Sequence, residues 1–303
     1  MFPAIRPPGS AARTAAFPIP AAPENSAFSL ANKGPPPYFA SPFTRRRKAS
    51  EDRRESQAVG LPESPDLNQG GTKQHPMINE LISDMVDAGV HYGHQTKKWN
   101  PKMKSFLMKD KGGIYIIDLE QTVKRLDKAA DFLSDLAGKG KKILFVGCKR
   151  QAQDAIREAA EATGQFYVNH RWLGGMLTNM ATVKKSIERL RWLETIEKQP
   201  EFKAMSKKEL SALGRERDKL LRNLRGIRGL EGKPDAIVIV DSARESIAVA
   251  EARRLEIPIV AIVDTNADPQ VVDYPIPGND DAVRSIRILL QNLVDAIVVA
   301  KKG

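Results

Sequence analysis

The chain has 303 residues, a formal net charge of +11 and a single cysteine. This length allows one large or two modest domains, and the positive charge indicates a polyanionic partner. One cysteine excludes an internal disulfide framework and fits a reducing compartment. Since no apolar run approaches the roughly 18 residues of a spanning helix, we expect a soluble protein that does not enter a membrane.

Residues 1–76 form a Pro-, Ala- and Ser-rich extension with no apolar periodicity, and we predict that they are disordered. The basic cluster 45–48 could bind nucleic acid or act as a targeting signal, although a solvated stretch is the favoured interpretation. Only Glu24 is acidic among the first 50 residues, so a transit peptide is one explanation of the extension. Another is that Met77 is the true initiator.

The pattern becomes ordered from Met77 onward. Apolar residues recur at helical spacing from Ile78 to Val86, and Gly89 is well placed to end that helix. Residues 91–104 then form a predicted loop that interleaves aromatic side chains with lysines, a composition that suits RNA or single strands. The pair His91 and His94 could ligate a metal, but no cysteine or carboxylate close in sequence completes a set, so we expect none.

Short apolar runs alternate with helical patterns through the rest of the chain. Predicted strands lie at 114–117, 141–147, 166–168, 236–240 and 259–263, and predicted helices at about 120–136, 151–162, 244–255 and 280–299. Continuous apolar strands between amphipathic helices predict a parallel sheet covered on both faces. Pro275 and Pro277 limit residues 274–276 to an edge extension or a loop.

Residues 178–230 are inserted between two of these strands and hold 14 Lys and Arg against 7 Asp and Glu. Two narrow apolar stripes at helical spacing flank Pro200, and Ser206 with Glu209 forms a capping-box sequence before the second stripe. The stripes can bury one another but little else. We therefore predict a protruding antiparallel coiled-coil hairpin, whose basic excess favours RNA contact.

The stretch 169–179 joins the third strand of this series to the hairpin and has the composition of a contact surface. It places His170, Arg171 and Trp172 directly before Gly174 and Gly175. Packing and RNA contact are both expected here. We predict that Arg171 faces RNA and that the glycines form the turn, while Trp172 could serve either purpose.

An enzyme is the competing hypothesis, because nucleotides bind at the carboxyl ends of parallel strands. Residues 147–150 follow a strand but match neither the dinucleotide-binding nor the Walker A pattern. Asp241 and Asp264 also follow strands, where turn and helix-cap chemistry is the favoured interpretation. Cys148 has no local signature of a base or orienting partner. The residues therefore predict no catalysis and no cofactor.

Several motifs in one order carry a resemblance to a known family. They are HYGHQ at 91–95 with WNPKM at 99–103, ILFVG at 143–147, NHRWLGGMLTN at 169–179, IVDTN at 262–266 with Asp268-Pro269, and IPGNDDA at 276–282. Together they closely resemble the bacterial-type ribosomal protein S2 family. The match runs from about Met77 to the C-terminus, so the predicted domain is 77–303 with the hairpin inserted at 178–230.

The resemblance implies a Rossmann-like, flavodoxin-like α/β fold and a structural role in the small ribosomal subunit, with no catalysis. It implies binding to small-subunit rRNA and to neighbouring proteins, including ribosomal protein S1, without homo-oligomers. The location would be the cytoplasm, or an organelle if the extension is a transit peptide. Charge and motif position assign the RNA contacts to Lys97, Lys98, Asn100, Lys102, Lys104, Lys149, Arg150, His170, Arg171, Trp172, Asn179, Lys184, Lys185 and Arg189.

Overall fold

The computed structural model describes residues 75–196 and 205–302, so the predicted disorder of the extension up to residue 74 lies outside the described residues. Helix α1 (His75–Asp87) opens this part of the chain, and Gly89 follows it at a φ of 75°. An antiparallel sheet comes next, in the strand order β1-β3-β2. Its strands are β1 (Tyr92–Gln95), β2 (Leu107–Lys111) and β3 (Ile114–Ile117).

This small sheet differs from the sequence-based expectation. Residues 91–104 were expected as a loop, yet they contain β1 and two short 3-10 helices, Thr96–Lys98 and Pro101–Phe106. The strand at 114–117 is confirmed, but it pairs antiparallel with β1 and β2 and does not belong to the parallel sheet. β1 contains Gly93 and His94, residue types with little strand preference, so its pairing depends on partners about twenty residues away.

The remaining elements alternate as predicted. They are α2 (Leu119–Gly138), β4 (Ile143–Val146), α3 (Gln153–Thr163), β5 (Phe166–Val168), α4 (Met180–Ile196), α5 (Lys207–Leu224), β6 (Ala236–Val240), α6 (Ser246–Arg254), β7 (Ile259–Val263), β8 (Tyr274–Pro277) and α7 (Val283–Lys302). A 3-10 turn also lies between α5 and β6, and another between β7 and β8. None of the described helices is long and apolar enough to cross a membrane.

The five strands β4 to β8 form one parallel sheet in the order β5-β4-β6-β7-β8. The second strand of the series lies outside the first, which is the flavodoxin-like arrangement. The predicted parallel α/β sheet is therefore confirmed. β8 is an edge strand. Its two prolines have no N–H to donate, and at the edge of a sheet no further strand needs that donor.

Alternate residues of each strand enter separate cores on the two faces of this sheet. Ile143 and Phe145 of β4 pack with α1, α2, α3 and α7, whereas Leu144 and Val146 belong to a second cluster with α4 and α6. β6 and β7 divide their residues in the same way. Because both faces are covered, the strands need continuous apolar sequence, which explains why they were recognisable.

The inserted segment has the two helices that its stripes predict. Val183, Ile187, Leu190, Leu193 and Ile196 are buried along α4. The capping box at the start of α5 is confirmed, since the Ser206 hydroxyl accepts from the Glu209 N–H and the Glu209 carboxylate accepts from the Ser206 N–H.

The first turns of α4 also pack against the parallel sheet, in addition to contributing to the hairpin. Val183, Ile187 and Leu190 belong to the same buried cluster as Leu144 and Val168 of the parallel sheet. This part of α4 is therefore integrated with the core of the α/β domain. α4 and α5 contact one another, and their arrangement as an antiparallel coiled coil stays a prediction.

Candidate nucleic-acid interface

Charged side chains from four strands converge at the carboxyl edge of the parallel sheet. Lys149 follows β4, Asp241 follows β6, Asp264 follows β7 and Asp280 follows β8. This edge is where doubly wound sheets bind their ligands. Here the space between strand ends is occupied by side chains of the chain itself.

Lys149 lies at the centre of this group and is only 6% exposed. Its Nζ is 2.5 Å from Asp280 Oδ1, 2.6 Å from Asp281 Oδ1 and 3.5 Å from Asp241 Oδ2. Burial alone would lower the pKa of Lys149, but these carboxylates raise it to about 12. A buried ammonium with three carboxylate neighbours is poorly placed to meet a phosphate. Lys149 is therefore left out of the RNA contacts that we propose.

His94 reaches the same group from the small antiparallel sheet. Its Nδ1 lies 3.1 Å from Asp264 Oδ2 and its Nε2 lies 3.5 Å from Asp281 Oδ2. The contact with Asp264 raises the pKa of His94. Burial, with the nearby charges of Asp264 and Asp241, raises the pKa of Asp280 to about 7. No ligand set was expected beside His94 from the sequence, because these carboxylates are distant from it in the chain.

The segment 91–104 is fixed on this edge by hydrogen bonds to a single threonine. The backbone N–H of His94 donates to Thr265 Oγ1 at 2.9 Å, and that of Asn100 donates to the Thr265 carbonyl at 2.7 Å. A side chain on Gly93 has no room, because its Cβ would lie 2.4 Å from Thr265 Cγ2. The motifs at 91–104 and 262–266 therefore meet in space.

The predicted contact residues of this loop lie outward from that attachment. Lys97, Lys98 and Lys104 are exposed. Lys102 is also exposed, and its ammonium pairs with Asp268 at 2.5 Å. Asn100 is half-buried and its Oδ1 accepts the N–H of Lys102 at 3.0 Å, so its side chain shapes the turn that presents the lysines.

Trp172 belongs to the packing of the 169–179 stretch. It is 7% exposed, and its Nε1 donates to Glu251 Oε1 at 3.1 Å. A buried indole with a satisfied N–H is not available for stacking on a base. Trp172 is therefore also left out of the proposed contacts, whereas Arg171 beside it is exposed.

Glu251 organises this turn by accepting several hydrogen bonds at once. The backbone N–H groups of Gly175, Leu177 and Thr178 donate to its carboxylate at 2.8, 3.0 and 3.1 Å. Burial by itself would raise the pKa of Glu251, but these donors and Trp172 hold it below its usual range. Gly175 has a φ of 84°, which explains the need for glycine there.

A basic groove lies where β5 and α3 approach α5, and we call it the arginine groove. Three arginines line this groove, Arg157, Arg222 and Arg225. The other lining residues are His170, Asn169, Tyr167, Leu221 and Asp218. Burial and the charge of Arg222 lower the pKa of His170. His170 was predicted as a contact residue from the sequence, but the arginines were not predicted as its neighbours. The basic excess of the inserted segment was a signal for Arg222 and Arg225 but not for Arg157, which lies on α3.

The outer side of α4, with Asn179 directly before the helix, carries the remaining predicted contacts. Asn179, Lys184, Lys185 and Arg189 are exposed. Arg189 donates to both oxygens of Glu216 at 3.0 Å and lies 4.3 Å from the ring centroid of Trp192. Trp192 is 42% exposed and was not predicted as a contact. We call Lys184, Lys185, Arg189 and Trp192 the α4 surface.

Cys148 and Arg150, the two neighbours of Lys149 in the chain, differ in availability. Arg150 is exposed. Burial, reinforced by Glu245, raises the pKa of the Cys148 thiol to about 12, so the thiol stays protonated near neutral pH. A protonated thiol is a weaker nucleophile than a thiolate.

Comparison with known proteins decides the family. A sequence profile described as Ribosomal protein S2 matches residues 85–300. This chain belongs to the ribosomal protein S2 family. It is also 52% identical over 221 residues to the protein named small ribosomal subunit protein uS2 of Koribacter versatilis (strain Ellin345), which covers 73% of each chain. The resemblance stated from the motifs is confirmed. Proteins of the S2 family are structural components and not enzymes, and this holds for the present chain.

Proposed function

We propose that this S2 family chain is a structural constituent of the small ribosomal subunit and binds small-subunit rRNA and neighbouring ribosomal proteins. The observation that carries the proposal is the family match across residues 85–300, together with the similarity to the Koribacter protein named small ribosomal subunit protein uS2. The exposed basic residues support the same conclusion, because they supply the charge that phosphates require.

Three surfaces provide the proposed RNA contacts. The first is the loop surface, with Lys97, Lys98, Lys102 and Lys104 on turns fixed to the sheet edge. The second is the arginine groove with His170, next to the exposed Arg171. The third is the α4 surface, with Asn179 at its start. Arg150 is a further exposed contact on the carboxyl side of β4.

The chemistry of these surfaces suits structured RNA. Lysine and arginine neutralise phosphates and release counterions, which supplies affinity without reading sequence. Trp192 offers a partly exposed ring on which a base can stack, and the Arg189 guanidinium already lies over that ring. The ion pairs of Lys102 with Asp268 and Arg189 with Glu216 are exposed, so exchange of a carboxylate for a phosphate costs little.

Partners and location follow from the ribosomal assignment. We propose contacts with other small-subunit proteins, ribosomal protein S1 among them, and a single copy of this chain in each subunit. The proposed location is the cytoplasm, or an organelle if residues 1–76 are a transit peptide. N-terminal peptide mapping of the native protein separates the possibilities, since a start at Met77 supports a later initiator and an intermediate cut supports a transit peptide.

Co-sedimentation tests the proposal. The full chain, carrying an affinity tag, is expressed in its native cells, and a lysate is separated on a sucrose gradient. We expect the tagged chain in the small-subunit and whole-ribosome fractions, and its movement to the top of the gradient after RNase treatment. Accumulation in the free-protein fractions without RNase would contradict the proposal and favour a regulatory RNA-binding protein that works off the ribosome.

A further inference from the structure

The arginine groove lies between two parts of the fold. Arg157 is on α3 and His170 lies just after β5, so both belong to the α/β domain. Arg222 is in the last turn of α5, and Arg225 begins the 3-10 turn that follows this helix. The volume of the groove is about 310 Å³, near the lower end of the range for small-ligand sites. A ligand in this groove therefore contacts the α/β domain and the inserted segment together.

Both walls of the groove are fixed by contacts that do not use the basic side chains. Gly226 lies so close to β5 that an added Cβ would be 2.2 Å from the Tyr167 carbonyl oxygen. Only glycine permits this approach, which holds the adjacent Arg225 beside β5. On the other wall, Asn169 is 7% exposed and its Nδ2 donates to a backbone carbonyl of α3 at 2.9 Å, next to His170. Ligand groups on fixed backbone are arranged before binding, which favours affinity.

The positive charge of the groove is only partly compensated. Arg157 pairs with Asp154 at 3.2 Å, and both side chains of this pair are substantially exposed. The Asp218 carboxylate is 3.0 Å from the neighbouring arginine of its own helix. In the described ranges 75–196 and 205–302, no carboxylate pairs with Arg222 or Arg225. A cleft lined by one sign of charge concentrates ions of the other sign, so the groove attracts an anion.

The pKa of His170 reflects this positive charge. Burial is the largest cause that lowers the pKa, the charges of Arg222 and Arg157 lower it further, and Asp154 opposes them. The imidazole is therefore mostly neutral at neutral pH, and a bound anion favours its protonated form. Protonation and anion binding must then strengthen each other by linkage. The charged groups around the imidazole come from α3 and from α5 with its following turn; they are Asp154, Arg157, Asp218, Arg222 and Arg225.

The donors of the groove select a phosphate. Guanidinium groups present paired N–H donors in a plane and bind phosphate oxygens in this bidentate way. A phosphate also offers oxygens in several directions, so arginines from opposite walls can share it. We propose that the arginine groove binds one phosphate group of RNA between Arg157 on the α/β domain and Arg222 with Arg225 on the inserted segment. The phosphate links α5 to α3 and restrains the inserted segment. This inference rests on the proposed function, which makes RNA the source of the phosphate.

Uridine monophosphate is the probe for this site, because it carries a phosphate without the rest of the RNA. We expect it to bind the purified full chain at one site and to raise the pKa of His170, measured from the imidazole NMR signals that His170→Gln identifies. Uridine, which lacks the phosphate, should leave these signals unchanged. An equal response to uridine, or monophosphate binding that leaves His170 unaffected, would overturn the proposal.

Competition distinguishes RNA from a free nucleotide as the source of the phosphate. Saturation of the chain with small-subunit rRNA should abolish binding of labelled monophosphate in equilibrium dialysis. Unchanged monophosphate binding by the rRNA-saturated chain would overturn this inference and leave the proposed function standing. Failure of the proposed function gives a different result that overturns both, since the chain would then neither co-sediment with small subunits nor bind the rRNA.

Arg222→Gln locates the phosphate, with Arg215→Gln as the matched control on the exposed surface of α5. We expect the first variant to weaken monophosphate binding by about 10-fold and to lower the slope of log rRNA affinity against log salt by about 1. Arg215→Gln should leave monophosphate binding unchanged. Arg222→Lys keeps the charge without the planar fork and should be intermediate. Equal losses in the two glutamine variants would indicate general attraction of anions and contradict a specific site.

Hydrogen exchange tests the link between the two parts of the fold and needs no variant. Saturating monophosphate should slow amide exchange at the end of α5 and in the first half of α3 of the unsubstituted chain, because the phosphate restrains both helices. Slower exchange in both helices supports the link. Exchange that stays unchanged in either helix would overturn it.

Discussion

At the carboxyl edge of the parallel sheet, charged side chains are buried and face one another, whereas on the α4 surface they face solvent. Lys149 is 6% exposed among carboxylates, while Lys184 and Lys185 are exposed. The same residue type therefore has opposite uses in one chain. Net charge cannot distinguish them, and burial decides which lysines stabilise the fold and which remain available to phosphates.

The strongest test of this contrast is Lys149→Met. Removal of one partner from a buried ion pair costs about 3–5 kcal/mol, since the carboxylates remain without compensation. We expect the free energy of unfolding in urea to fall by this amount. Lys185→Met is the matched control and should change it by less than about 0.5 kcal/mol. Equal effects of the two substitutions would remove the distinction.

Substitution of the acceptor Glu251 should lower the free energy of unfolding by a comparable but smaller amount. Its carboxylate receives five hydrogen bonds, and Glu251→Ala leaves the Trp172 indole and several backbone N–H groups without an acceptor. We expect a loss of about 3 kcal/mol in the free energy of unfolding. Glu161→Ala, on the exposed side of α3, is the control and should be nearly neutral. A stable Glu251→Ala variant would show that water replaces the carboxylate.

Acid should weaken the same turn. Because the folded-state pKa of Glu251 lies below its ordinary value of 4.5, the unfolded chain binds the proton more readily. The stabilisation is present above about pH 4.5 and is lost as the pH falls through the folded pKa. We expect Glu251→Gln to flatten the decline of stability in this window, measured by urea unfolding at several pH values. An unchanged decline would assign it to other carboxylates.

The smallest expected effect concerns the exposed pair of Arg189 and Glu216. Exposed ion pairs contribute at most about 1 kcal/mol, so Glu216→Gln should hardly change stability. Release of Arg189 should instead raise affinity for small-subunit rRNA modestly, as measured by filter binding. Reduced affinity in this variant would mean that Glu216 positions Arg189 for contact.

Much of the fold was predictable because its signals are local. The strands at 236–240 and 259–263 match the structure at both ends, since a strand buried on both faces must be continuously apolar. The capping box at Ser206 and the proline-rich edge strand β8 also follow from neighbouring residues. The pairing of β1 with β3 had no comparable local signal.

The environment of individual side chains was less predictable, because it depends on distant partners. Lys149 looks like an exposed lysine after a strand until Asp280 and Asp241 are brought beside it. His94 and Thr265 meet across 171 positions. Trp172 reads as a contact residue until Glu251 accepts its indole N–H. In each case the tertiary fold supplies a partner that the local sequence does not contain.

The salt dependence of rRNA binding tests the central claim most directly. The full chain is compared with the double variant Lys184→Gln/Lys185→Gln and with Lys124→Gln/Lys128→Gln, a matched exposed pair on α2. Each lost phosphate contact should reduce the slope of log affinity against log salt by about 1. We predict a shallower slope and weaker binding for the α4 variant, with the α2 variant unchanged. Identical slopes for the α4 variant and the unsubstituted chain would contradict the account.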